Sequence, residues 1–260
     1  MEWNCQGGQK DAMKNEVVLS KILEIGELML IAGGEVSRVE DTISRLCCAY
    51  EMTEAQVFSI TTSIVVTVTT ADGHVITQTR RIHTHDTDFT RLELLNELSR
   101  ELCSNPQEEA YIQKKLDEIC QVSEYSKWIY VFAYALISAS FTVFFGGSFR
   151  DAAASAPIGV LLYFLVRFNR RINMNYIVSN LICSLLGGAA AVVLVKIGLG
   201  QNIDKIVIGN IMPLIPGLAF TNAIRDMING DVMAGTGRLC ESVLTAIALA
   251  VGFTVTLLVY

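Results

Sequence analysis

The chain has 260 residues, 52 % of them hydrophobic, with 20 Lys and Arg against 26 Asp and Glu. Residues 1–127 hold 12 basic and 21 acidic residues, a net of −9, whereas residues 128–260 hold 8 and 5, a net of +3. An acidic first half without a basic stripe argues against nucleic acid as a partner, because phosphate neutralisation is the main sequence-independent term in such binding. A second half so poor in charge reads as a segment solvated by a lipid bilayer.

The start, Met1 to Gly8, has no positive region followed by an apolar core. No cleavable signal peptide is therefore expected, and the first half is expected to stay in the cytoplasm. Glu16 to Ala32 places Val18, Ile22, Ile25 and Met29 at helical spacing, closed by Gly33-Gly34. Ser37-Arg38-Val39-Glu40 fits a capping box for a second helix with a Val39, Ile43, Leu46, Tyr50 stripe. Between Phe58 and Thr70 the period becomes two, with Phe58, Ile60, Ile64, Val66 and Val68 as the apolar set of a strand pair or one bent strand. Asp72-Gly73 predicts a two-residue type I′ turn, with His74 to Ile82 returning. After a loop at Thr84 to Asp88, Leu92, Leu95, Leu98 and Leu102 mark a helix. Asn105-Pro106 with Glu108 and Glu109 predicts the start of another, whose stripe is Ile112, Leu116 and Ile119. Cys47, Cys48, Cys103 and Cys120 lack a CxxC pair or metal-ligand spacing and read as small core residues.

Charges divide the second half into five apolar stretches: Trp128 to Phe145, Ala152 to Val166, Ile172 to Val195, Ile206 to Ile224 and Ser242 to Tyr260. A bilayer-crossing helix needs roughly 17 to 25 residues. The second stretch has 15 and suggests a tilted or re-entrant element. With the N-terminus inside, Arg167, Arg170, Arg171, Arg225 and Arg238 face the cytoplasm, Arg150, Lys196 and Lys205 lie outside, and Tyr260 ends outside, as the positive-inside rule favours. The expected fold is an α+β cytoplasmic domain, residues 1–126, with helices flanking a β-hairpin. An all-α polytopic membrane domain of about five transmembrane helices, residues 127–260, follows it.

Pro213 and Pro216 cannot donate backbone hydrogen bonds, so they loosen the fourth span around Gly217. Broken spans expose oriented backbone dipoles where transporters hold substrate and ions; a packing kink is the plainer alternative. Asn222, Arg225 and Asp226 close that span, and Asp231, Arg238 and Glu241 follow before the last one. Ionisable groups at a membrane boundary are candidates for a substrate or ion pathway. The planar fork of Arg225 suits a carboxylate, and Asp226 or Asp231 suits a proton exchanged during coupling. Pairing among themselves, or marking the cytoplasmic face, would equally explain these charges. Gly146-Gly147 and Gly187 to Ala191 read as close helix contacts. His83-Thr84-His85-Asp86, with Asp88 or His74, is a weak metal or acid–base candidate. No HExxH, phosphate loop or GxSxG accompanies it, and no metal or cofactor is expected.

The Pro213-Leu-Ile-Pro216-Gly217 run, the Asn222-Ala-Ile-Arg225-Asp226 stretch, the spaced Gly230-Asp231, Gly235 and Arg238, and Gly33-Gly34-Glu35-Val36-Ser37-Arg38-Val39-Glu40 together resemble the threonine/serine exporter family. That resemblance covers nearly the whole chain. It implies a multi-pass protein of the cell membrane that exports small amino acids, or small dicarboxylates in split relatives, driven by an ion gradient and without enzymatic chemistry. It carries Pro213, Gly217, Asn222, Arg225, Asp226 and Asp231 onto the family's membrane motif, and Arg38 and Glu40, beside Ser37, onto that of the soluble domain. Fused members continue with a second membrane half, so a chain stopping at Tyr260 is expected to work with a second membrane subunit or as a homo-oligomer. The rival readings are a membrane-tethered cytoplasmic enzyme or regulatory domain, and an assembly factor for another membrane complex.

Overall fold

The computed structural model describes residues 5–84, 86–122, 125–172, 174–258 and 260, with residues 5–14 described by their backbone alone. The chain divides into two compact units, Met1–Ser123 with Thr221–Leu239, and Glu124–Phe220 with Cys240–Tyr260.

In the first unit, α1 (Cys5–Ile31) and α2 (Val36–Ala49) pack with each other and with an antiparallel sheet ordered β1 (Thr53–Ile60), β2 (Ser63–Thr69), β3 (Val75–Arg81). Helices α3 (Phe89–Ser104) and α4 (Glu109–Gln121) complete the layer. The apolar stripes are the core: Val18, Ile22, Ile25 and Met29 of α1, Val39, Ile43 and Leu46 of α2, Leu95, Leu98 and Leu102 of α3, and Ile112, Leu116 and Ile119 of α4 are all buried. Truncating one of the larger ones to Ala costs about 2–5 kcal/mol through lost transfer energy and the cavity left behind. Gly33, at φ +91°, ends α1 in the left-handed conformation, and the Gly34 N–H reaches back to the Met29 carbonyl at 2.8 Å.

Five local expectations are corrected. Glu35, not Ser37, is the N-cap of α2, and it makes no side-chain cap bond. Ser37 and Glu40 therefore form no capping box, and both point to other partners. In the β1–β2 hairpin Ile60 pairs with Ser63, which makes the inward set odd-numbered on β1 and even-numbered on β2. Ser59 is accordingly buried with Ile64, Val66 and Val68, and Phe58 is 57 % exposed. In the β2–β3 turn only Gly73 has positive φ, so the loop runs from Thr70 to His74 and is not the type I′ turn, which needs positive φ at Asp72 too. Asn105 ends α3 with its N–H on the Glu101 carbonyl, and α4 begins only at Glu109. Of the four cysteines read as core, Cys47 is buried, Cys103 half-buried, and Cys48 and Cys120 exposed.

The second unit is built on α5 (Lys127–Phe144), α6 (Phe149–Arg171), α7 (Tyr176–Lys196), α8 (Ile203–Ile211) and the later part of α10 (Val232–Leu258). Helices α5, α6, α7 and α10 are each long and apolar enough to cross a membrane. A fifth span results if α8 and α9 (Gly217–Ile228), bent by 55° at the Met212–Leu214 3₁₀ turn, count as one. The second stretch is not short: α6 has 23 residues. Its first turn is closed by a genuine capping box, Ser148 with Asp151, and the buried Asp151 carboxylate also accepts from the Gln201 and Asn202 backbone N–H groups at 2.6 and 2.9 Å. A fully satisfied acid can start a membrane helix, so reading Asp151 as a boundary shortened the span artificially. The Gly187-Gly188 pair is a close helix contact, packed on Phe253 and Thr256 of α10.

Candidate functional site

The first unit takes in the end of α9 and the start of α10, and its polar centre lies where they meet the turn between α1 and α2. The α1–α2 turn presents carbonyls at the end of one helix and N–H groups at the start of the next, so it needs both donors and acceptors. Asn222 Nδ2 donates to the Gly33 carbonyl at 3.2 Å, and Arg238 Nη2 donates to the Gly34 carbonyl at 3.0 Å. Asp226 Oδ1 accepts the Val36 N–H at 3.3 Å and so caps α2 from outside, doing what the sequence assigned to Ser37. Asn229 Nδ2 donates to Ser37 Oγ at 3.2 Å.

Charges are layered by depth. Asp226 is fully buried, and Arg238, 11 % exposed, places Nη1 3.2 Å from its Oδ2. That contact is coulombic, and among the described residues no hydrogen-bond donor reaches Oδ2. Further out, Arg225 pairs with Glu35 while its side chain stays 54 % exposed. The Asp231 N–H bonds the Asp226 carbonyl at 2.9 Å, which ends α9 and places the Asp231 carboxylate near Glu40 of α2. Glu40 Oε1 accepts the Ser59 N–H at 2.6 Å and the Ser59 hydroxyl at 3.0 Å. Burial raises the Glu40 carboxyl above its ordinary 4.5; the Ser59 bonds oppose this and Asp231 adds to it. A shallow cavity of about 230 Å³, lined by Ser59, Asp231 and Ala234 among others, opens beside this pair.

The fold thus brings Ser37, Glu40, Asn222, Arg225, Asp226, Asp231 and Arg238 into one neighbourhood. Arg38 is exposed on α2, and Glu241 is exposed on α10 within the second unit. Pro213 lies in the 3₁₀ turn, Pro216 in the break, and Gly217 begins α9 with open space where a Cβ would stand. Glu35, Asn229 and Ser59 went unread because their roles depend on partners distant in sequence. Among the described residues no group of three His, Cys, Asp or Glu could hold a metal. His85 of the histidine candidate lies outside the described residues.

The family described as "Putative threonine/serine exporter" matches residues 20–260. A Mycobacterium tuberculosis protein named "Probable threonine/serine exporter" is 23 % identical over 96 % of this chain, and the chain spans 47 % of that relative's length. An Escherichia coli protein named "Probable succinate transporter subunit YjjP" is 22 % identical over 92 % of this chain and 93 % of its own. No solved structure matches.

Proposed function

The chain belongs to the threonine/serine exporter family, and from that premise we propose that it is the subunit of a secondary-active exporter of threonine, serine or a related small carboxylate. With four to five apolar helices it is a multi-pass membrane transport protein. The observation that carries the proposal is the break at Met212–Leu214, with a half-helix running from Gly217 to a cluster of two arginines and two aspartates. A broken span frees backbone groups that only protein, water or a substrate can satisfy.

In this reading Arg225, exposed and paired with the single carboxylate of Glu35, exchanges that partner for the substrate carboxylate. Asp226, and Asp231 beside it, take and release the coupling proton, while Arg238 keeps the buried charge tolerable when the proton is absent. Pro213, Pro216 and Gly217 supply the flexible backbone, and Glu241 lies on the pathway beyond them. The first unit sits in the cytoplasm and receives substrate there, and a second membrane subunit supplies the remaining helices. The names of the two relatives, an exporter twice as long and a transporter subunit of the same length, support the partner.

Efflux of labelled threonine, serine and succinate from vesicles, with and without a co-expressed small membrane subunit and under an imposed proton gradient, tests this. Gradient-dependent efflux that requires both chains is expected. No efflux of any of the three, with both proteins inserted, overturns the proposal.

A further inference from the structure

Within the second unit, α5, α6 and α8 enclose a polar cluster in otherwise apolar helices. Ser138 and Thr142 of α5, Ser155 of α6 and Asn210 of α8 are all fully buried, each with a relative exposure of 0 %. Asn210 Nδ2 donates to Ser155 Oγ at 2.7 Å and to the Ile206 carbonyl at 2.8 Å. Thr142 Oγ1 donates to the Ser138 carbonyl at 2.8 Å and lies 2.8 Å from Ser155 Oγ. These bonds leave the Asn210 amide oxygen and the Ser138 hydroxyl over. Among the described residues no hydrogen-bond partner reaches Asn210 Oδ1 or Ser138 Oγ. Such groups carry a desolvation cost inside a membrane helix bundle when unsatisfied, which makes a pair of them in one cluster unusual.

The neighbouring backbone adds to the surplus of oxygen. Pro213 has no N–H for the Gly209 carbonyl one turn earlier, so the break described above frees an acceptor beside Asn210. Gly209 itself is where α8 meets α5: a Cβ there would stand 2.0 Å from Thr142 Oγ1 and 2.6 Å from the Ser138 carbonyl. The close approach brings the Thr142 hydroxyl and the Ser138 carbonyl of α5 together with the Ser155 hydroxyl of α6 and the Asn210 side chain of α8. None of these groups titrates near neutral pH, and none carries the negative charge that a divalent ion requires.

We propose that this cluster binds a small dehydrated monovalent cation, either a sodium ion or the ammonium group of an amino-acid substrate. Neutral oxygens at the end of a broken helix replace the hydration shell of such an ion without the cost of a buried carboxylate. Binding at Asn210 ties α8 to α5 and α6 one turn before the break. The assignment of the ammonium source rests on the exporter reading above.

The test is equilibrium binding of radiolabelled sodium, and separately of labelled threonine, to the purified full chain. The variants are Ser138→Ala, which removes one unpaired oxygen, and Asn210→Asp, which adds charge without changing shape. Saturable sodium binding, weakened about tenfold by Ser138→Ala and tightened by Asn210→Asp, supports the sodium source. Threonine binding that responds in the same way, without sodium binding, supports the ammonium source. If neither ligand's binding responds to Ser138→Ala, with its melting temperature near that of the parent, the proposal is overturned. Cation binding without efflux in the vesicle assay would instead sink the export reading and leave the site standing.

Discussion

Arg225 and Asp226 are consecutive on the same short helix, yet their surroundings assign them different weights. Asp226 is fully buried against Arg238, so Asp226→Asn removes the carboxylate that faces an arginine of 11 % exposure and is expected to cost about 3 kcal/mol. Adding Arg238→Gln should recover much of that loss, and melting curves of the single and double variants in detergent check the coupling. Arg225 is 54 % exposed, and an ion pair of that kind contributes under about 1 kcal/mol. Arg225→Ala is therefore expected to leave the melting temperature nearly unchanged while abolishing efflux; full efflux would remove Arg225 from the substrate pathway. Glu40 gives a pH signature. Its carboxyl titrates above the ordinary 4.5, so the folded state holds the proton more tightly than the unfolded chain. Its stabilising contribution is complete below pH 4.5 and is lost as pH rises through the raised value. Glu40→Gln should flatten that part of the stability profile, measured as melting temperature against pH. Burial also pushes the Cys47 thiol up to about 12, so thiol reagents at neutral pH should spare Cys47 and modify exposed Cys48 and Cys120.

Among the elements, α2 shows how far a local motif can mislead. Ser37-Arg38-Val39-Glu40 has the spacing of a capping box, but the cap of α2 comes from Asp226, 190 residues away, and Glu40 serves β1. Sequence spacing ranks local partners only, whereas a buried carboxylate from another helix offers the same acceptor in a drier place. The proline break was legible, because Pro213 and Pro216 remove donors whatever surrounds them. Pro213→Ala with Pro216→Ala should join α8 and α9 into a straighter helix, gaining up to about 3 kcal/mol of helix propensity per site. Efflux is expected to fall at least about tenfold, equivalent to ~1.4 kcal/mol on the coupled step. Efflux at the parent's rate in this stiffened variant would show that the bend has no transport role. The length of α6 was misread for the opposite reason: Asp151 resembles a boundary charge until its five acceptor contacts from Ser148, Gln201 and Asn202 are seen.

For the whole molecule, the expectation that follows from the charge asymmetry is a cytoplasmic first unit. On intact cells a membrane-impermeant maleimide should modify a Gln201→Cys variant, in the exposed turn after α7, and leave Cys120 of α4 unmodified until the membrane is opened. Labelling of Cys120 from outside would invert the proposed orientation. The two compact units do not divide the chain at a single point, since Thr221–Leu239 returns to the first. A reader of hydropathy alone places those residues with the membrane helices, because Ile224 and Met227 look no different from span residues until their partners are known.

The sequence by itself determined the class of this protein, its apolar helices, the apolar stripes that form the core of the first unit and the break at Pro213 and Pro216. Those properties are periodic or covalent, so each is written within a few turns of chain. Tertiary structure alone decided that Asp226 caps α2, that Arg238 neutralises it, that Glu40 holds Ser59, and that Asn210 meets Ser155 with its amide oxygen to spare. Each of these is a meeting of polar groups far apart in sequence, and burial, which no local pattern encodes, is what makes them strong.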